Sequence, residues 1–149
     1  MSQVKESATV GVALIGSGRM GAYHGATLAQ RLPGARLAAV VDPAPGAAEK
    51  LAAALGVGAA YTDPAQAFAD PAVDAVVIAA PARFHTDLIV AAAGAGKAVF
   101  CEKPAALNLA DLDRQSTPCG PPGYPCRWGS TGGSPRTGLR RGHCSTTAP

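Results

Sequence analysis

No acidic residue follows Asp113. Residues 115–149 also lack Ile and Val and keep a single Leu, while they hold seven Gly and six Pro. A stretch so poor in apolar residues cannot bury enough surface to pack, and it reads as a disordered C-terminal tail. No apolar run approaches the roughly 20 residues needed to span a bilayer, which excludes a membrane helix. The first ten residues lack the basic start, long apolar centre and small-residue cleavage site of a signal peptide, so a cytoplasmic address is expected. Cysteine is scarce where the chain is apolar. Residues 1–114 contain Cys101 alone, and Cys119, Cys126 and Cys144 lie in the tail. Without a signal peptide these predict no disulfide framework. His143 beside Cys144 fits no zinc spacing, so no metal is expected.

Charge divides the same way. Residues 1–114 carry nine Lys/Arg and ten Asp/Glu, whereas residues 115–149 carry four Arg and no acid. The net charge of +3 therefore belongs to the tail and not to a face of a folded domain. No nucleic-acid or membrane partner is expected from it.

What is present is a series of short apolar runs separated by helix-forming stretches. The runs Val10–Ile15, Ala35–Val41, Val57–Tyr61, Val73–Ala80 and Lys97–Cys101 read as strands. Between them, Arg19–Arg31, Ala47–Leu55, Asp63–Ala69 and Phe84–Ala93 read as helices. Gly56 terminates the second of these, and Asp63-Pro64 opens the third. Asn108 caps a further helix. Strands that are apolar on both faces and alternate with helices predict an α/β fold, a doubly wound parallel sheet of Rossmann type. The expected organisation is an N-terminal lead over 1–8, a dinucleotide-binding domain over 9–114 that is incomplete as a sheet, and the tail over 115–149.

Gly16-Ser17-Gly18-Arg19-Met20-Gly21 is a G-x-G-x-x-G run placed between the first strand and the first helix. Such a run permits a tight turn, lets backbone approach a pyrophosphate, and allows close helix–strand packing; the helix amides then face the phosphates. Gly16, Gly18, Arg19 and Met20 are assigned to cofactor on this basis. Asp42 ends the second strand, where a carboxylate accepts the ribose hydroxyls of NAD and repels the 2′-phosphate of NADP. A plain glycine turn and a strand-end cap are the alternative readings of these two features. Ala80-Pro81 and Glu102-Lys103-Pro104 end the fourth and fifth strands, on the edge where open parallel sheets bind ligands. Position alone leaves Lys103 open between a ligand contact and a solvated strand-end charge. His85 opens a helix at the same edge and is a candidate for cofactor contact or for capping. His24 reads as a packing residue and Cys101 as core.

Val-Ala-Leu-Ile-Gly-Ser-Gly-Arg-Met-Gly, Val-Val-Asp-Pro and Phe-Cys-Glu-Lys-Pro at these spacings resemble the Gfo/Idh/MocA oxidoreductases, inositol 2-dehydrogenases among them. The resemblance covers Thr9 to about Arg114, and Glu-Lys-Pro is its most specific part. It implies NAD or, less readily, NADP, and a polyol, sugar or related carbonyl substrate. It also implies a homo-oligomer and a second α/β domain that completes the substrate site. It makes Lys103 the catalytic candidate, beside the nicotinamide and the reacting hydroxyl, with Glu102 and His85 near the cofactor. The family's other catalytic groups, an Asp and a His, come from that second domain and are not matched by His143 or any other tail residue. A non-catalytic dinucleotide-binding module is the competing reading. The tail itself is compatible with a change of reading frame near Arg114. Read in the alternative frame, the codons of Cys126 to Ser134 permit Gln-Val-Gly-Phe-Asn-Arg-Arg-Phe, preceded by Ala-Gly-Val-Pro-Leu, as this family continues. On that expectation the 149-residue chain is truncated and lacks turnover by itself.

Overall fold

The computed structural model of the protein describes residues 9–116. The lead over 1–8 and the expected tail from residue 117 onward, with Cys119, Cys126, His143 and Cys144, lie outside the described residues.

Five strands form one parallel sheet in the order β3-β2-β1-β4-β5. They are β1 (Val10–Ile15), β2 (Ala35–Val41), β3 (Ala59–Tyr61), β4 (Ala75–Ile78) and β5 (Ala98–Cys101). The helices are α1 (Arg19–Gln30), α2 (Ala47–Leu55), α3 (Pro64–Ala69), α4 (His85–Gly94) and α5 (Leu109–Ser116), with a short 3-10 turn at Ala82–Phe84. β1 is central and pairs with both β2 and β4. The chain moves outward to β3 on one side, then returns to β4 on the other. The order therefore reverses between β1 and β4, which opens a crevice above their carboxyl ends.

Successive residues of β1 and β4 face opposite layers, and β2 does the same apart from a register shift against β1 that skips Ala38. On one face Ala13, Ile15, Ala39, Val41, Val76 and Ile78 pack with Phe68 of α3 and Ile89 and Ala92 of α4. On the other Val12, Leu14, Leu37, Val40 and Val77 meet Leu28 of α1 and Ala48 and Ala52 of α2. This is why the strands read as apolar runs: most of β1, the second half of β2 and β4 are buried on both faces. The doubly wound parallel sheet expected from the sequence is the observed fold.

Several boundaries differ, each for a local reason. β4 spans Ala75–Ile78 and not Val73–Ala80. At its start the Asp74 carboxylate accepts from the Gly11 amide at 2.8 Å, and the Asp74 amide donates to the Gly11 carbonyl at 2.8 Å. At its end the Ala79 amide still donates to Ile15 before Pro81 turns the chain. β3 begins at Ala59 and not Val57, because it pairs with β2 at three positions alone. α5 runs past the boundary drawn at Arg114: Gln115 is buried, and its Nε2 donates to Thr86 Oγ1 and to the Ala105 carbonyl, each at 2.8 Å. Helix α5 thus continues to Ser116.

Candidate functional site

The crevice is walled first by the turn between β1 and α1. Gly16 has φ +98°, and a Cβ there would lie 2.8 Å from backbone atoms of Ala79 and Ala80. Only glycine allows β1 and β4 to end this close together. A Cβ on Gly21 would collide with the Gly16 carbonyl, so the third glycine seats α1 against the turn. Gly18 differs. Nothing lies within 4 Å of a Cβ built on it, and its φ of −65° suits any residue. The fold does not require glycine there. Gly18 caps α1 without a side-chain hydrogen bond, and α1 has no acid in its first turn. The first-turn amides and the positive end of the helix dipole therefore favour an anion.

Asp42 ends β2 beside this turn. Its Oδ2 accepts from the Ser17 amide at 2.8 Å and from the Ser17 hydroxyl at 2.7 Å. Its Oδ1 accepts from the Ala44 amide at 2.9 Å. Burial works against ionisation, but the Ser17 and Ala44 donors outweigh it and hold the carboxyl below its usual range. Asp42 is thus an anion that also fixes the glycine turn. The sequence reading missed Ser17; the signal was a hydroxyl between two glycines, facing the end of the neighbouring strand.

Gly16, Gly18, Arg19, Met20, Asp42, Ala80 and Pro81 all line one cavity of about 1030 Å³. The sequence had not pointed to the remaining wall, which comes from Pro43, from Asp63, Pro64, Ala65 and Phe68 around α3, and from Arg83, Phe84, Asp87, Leu88 and Ala91 before and along α4. The Arg83 guanidinium lies 4.5 Å from the centre of the Phe84 ring at this rim. A largely apolar slot next to a helix N-terminus and a carboxylate fits an adenosine diphosphate with a ribose.

The other three candidates stand apart from that cavity. His85 is 1% exposed. Its Nδ1 lies 2.8 Å from the Pro104 carbonyl oxygen and its Nε2 2.7 Å from the Ala80 carbonyl oxygen. With both ring nitrogens facing backbone carbonyls, His85 forms an internal bridge between Ala80 and Pro104. Glu102 turns toward α1, where His24 Nε2 donates to its Oε1 at 2.5 Å. His24 is accordingly a partner of the Glu-Lys-Pro segment and not a packing residue alone. Lys103 is exposed at the carboxyl end of β5, on the same edge of the sheet, and the Lys103–Pro104 peptide is cis. Cys101 is buried, and burial above all, then the nearby Glu102 charge, pushes its thiol up to about 12. It is a core residue and no nucleophile.

Comparison with known proteins agrees with this geometry. The profile of the oxidoreductase family with an NAD-binding Rossmann fold, Gfo/Idh/MocA, matches residues 10–119. Scyllo-inositol 2-dehydrogenase (NAD(+)) of Bacillus subtilis is 40% identical over 117 residues, covering 78% of this chain and 34% of that protein. Myo-inositol 2-dehydrogenase of Thermotoga maritima is 42% identical over 103 residues, covering 69% of this chain and 30% of that protein. Among solved structures, scyllo-inositol dehydrogenase from Lactobacillus casei, with bound NAD(H) and scyllo-inositol, superposes with a TM-score of 0.68 at 31% identity. It covers 72% of this chain and 32% of that one. The chain spans about a third of the length of these relatives.

Proposed function

The chain belongs to the Gfo/Idh/MocA oxidoreductase family, and from that premise we propose that it is the cofactor-binding part of an NAD-dependent dehydrogenase acting on an inositol or a related polyol or sugar. The observation that carries the proposal is the joint wall formed by the open Gly18, the amides of α1 and the ionised Asp42. Inositol as the substrate class is supported by the relatives at 40% and 42% identity.

In this reading the first amides of α1 and the backbone at Gly18 hold the pyrophosphate, and Arg19 and Met20 flank it. Asp42 accepts from the adenosine ribose hydroxyls with lone pairs that Ser17 and Ala44 leave available. Ala80 and Pro81 form the wall leading toward β5. Lys103 holds the substrate hydroxyl with its ammonium, whose charge favours loss of the hydroxyl proton. A bound nicotinamide supplies the hydride acceptor. The assembled protein is proposed to be a homo-oligomer, as its family resemblance implies.

Two measurements test this. NADH titrated into the protein should bind and should compete with NAD but only weakly with NADPH. Oxidation of scyllo- and myo-inositol, measured on a form that carries the family's second domain, then separates a dehydrogenase from a binding module. Failure to bind NADH would remove the proposal.

The division of the chain is also proposed: residues 9–116 are the domain, and the reading frame departs from the family's after it. Gln115 is packed into the fold, so the departure falls at or beyond that codon. The gene sequence decides. If the alternative frame through the codons of Cys126 to Ser134 does not read Gln-Val-Gly-Phe-Asn-Arg-Arg-Phe, the frame proposal is wrong.

A further inference from the structure

Lys103 stands between two residues that are each gripped by a histidine from another element. On its N-terminal side, Glu102 accepts from His24 at 2.5 Å through Oε1, and its Oε2 lies 3.4 Å from the Lys103 amide. On its C-terminal side, the Pro104 carbonyl accepts from His85 at 2.8 Å. Nε2 of the same ring lies 2.7 Å from the Ala80 carbonyl oxygen, and Ala80 lines the cavity. His24 belongs to α1, the helix whose N-terminus faces the cavity, and His85 opens α4. The lysine's segment is thereby fastened to both walls of the crevice.

Neither histidine is a casual contact. His85 is buried with one ring nitrogen against each of two backbone carbonyl oxygens, so a single rigid ring spans Ala80 and Pro104. The His24 ring is set edge-on to Phe100 of β5 at 5.9 Å and to Tyr23 at 5.8 Å, which orients its donor toward Glu102. Part-buried polar pairs of this kind help define geometry because losing one partner leaves the other poorly satisfied. Lys103 itself has a long flexible stem, so its backbone segment is where precision has to be imposed.

We propose that His24 and His85 are positioning residues that together set where Lys103 stands relative to the cofactor; this rests on the reading of Lys103 given above. The test uses the 149-residue protein saturated with NADH. The probe is the nuclear Overhauser cross-peak between Lys103 Hε and the nicotinamide ring protons, assigned by its absence in Lys103→Arg. The cross-peak is expected in the unmodified protein, lost in His24→Leu and in His85→Leu, and recovered in His24→Gln and His85→Gln, whose amides still donate. NADH binding, read by fluorescence, is expected to survive in all four. Should His85→Leu fail to fold, His24→Leu and the two Gln variants carry the test. If the Leu variants keep both the cross-peak and the Lys103 chemical shift, the histidines are structural only and the inference is overturned while Lys103 keeps its role. If the unmodified protein binds NADH without any cross-peak, the role of Lys103 falls first and the inference falls with it.

Discussion

Asp42 carries two tasks that mutation separates from those of the glycines. Its carboxyl is held below its usual range, against the effect of burial, by three donors from Ser17 and Ala44. A carboxyl with a folded-state pKa below its unfolded value contributes stability above the unfolded value and loses it as pH falls through the folded one. Asp42→Ala should therefore destabilise the fold at neutral pH, by roughly 1–3 kcal/mol for hydrogen bonds to a charged group. The gap in thermal midpoint should close as the pH drops through and below the ordinary carboxylate range. A gap that stayed constant with pH would mean that the ionised form has no special place. The same variant should narrow the preference for NADH over NADPH, and equal affinity of the unmodified protein for both would remove Asp42 as the selector. The glycines give a cleaner division. Gly16→Ala meets backbone at 2.8 Å with φ +98°, so it should cost about 1–3 kcal/mol of stability. Gly18→Ala meets nothing within 4 Å, so it should leave the thermal midpoint unchanged and weaken NADH binding alone. An equal loss of stability in both variants would mean that Gly18 serves the fold and not a ligand.

At the scale of elements, the sequence was legible wherever one local rule acted alone. Asp63 accepts from the Ala65 amide, with Pro64 at the first helical position, and Asn108 Oδ1 accepts from the Asp111 amide at 2.8 Å. Both caps followed from residue type and spacing. Asn108→Ala should accordingly cost about 1 kcal/mol, seen as earlier melting of α5 by amide exchange. An unchanged α5 would show that its anchoring lies elsewhere, in Gln115. What the sequence did not disclose were contacts between elements distant in the chain. His24 and Glu102 are separated by 78 positions and His85 and Pro104 by 19. No periodicity marks such pairs, so one histidine was read as packing and the other as a candidate ligand. The anchoring of α5 was hidden for the same reason. Gln115 looked like the first residue of a compositionally different tail, yet its side chain bonds Thr86 and Ala105.

For the molecule as a whole, the arrangement of walls predicts how the cofactor's binding energy is distributed. All the residues assigned to pyrophosphate and ribose line one cavity, and its remaining wall comes from α3 and from the segment leading into α4. Lys103 and Glu102 do not line it; they stand along the sheet edge at β5. Adenosine, both phosphates and the proximal ribose can therefore meet their partners within residues 16–91. On the proposed role of Lys103, the nicotinamide gains mainly the neighbourhood of one exposed lysine among the described residues. ADP-ribose should bind the protein within about tenfold of NADH, since a tenfold difference is roughly 1.4 kcal/mol and few contacts are forfeited. Lys103→Ala should then leave the affinity for both ligands nearly unchanged. In a form of the protein that turns over inositol, the same variant should lower kcat by on the order of a hundredfold or more. Calorimetric titration with ADP-ribose and NADH measures the first point. If ADP-ribose binds a hundredfold more weakly, the nicotinamide has partners within these residues beyond Lys103, and the cavity between α1, β2 and α4 is not the principal anchor of the dinucleotide.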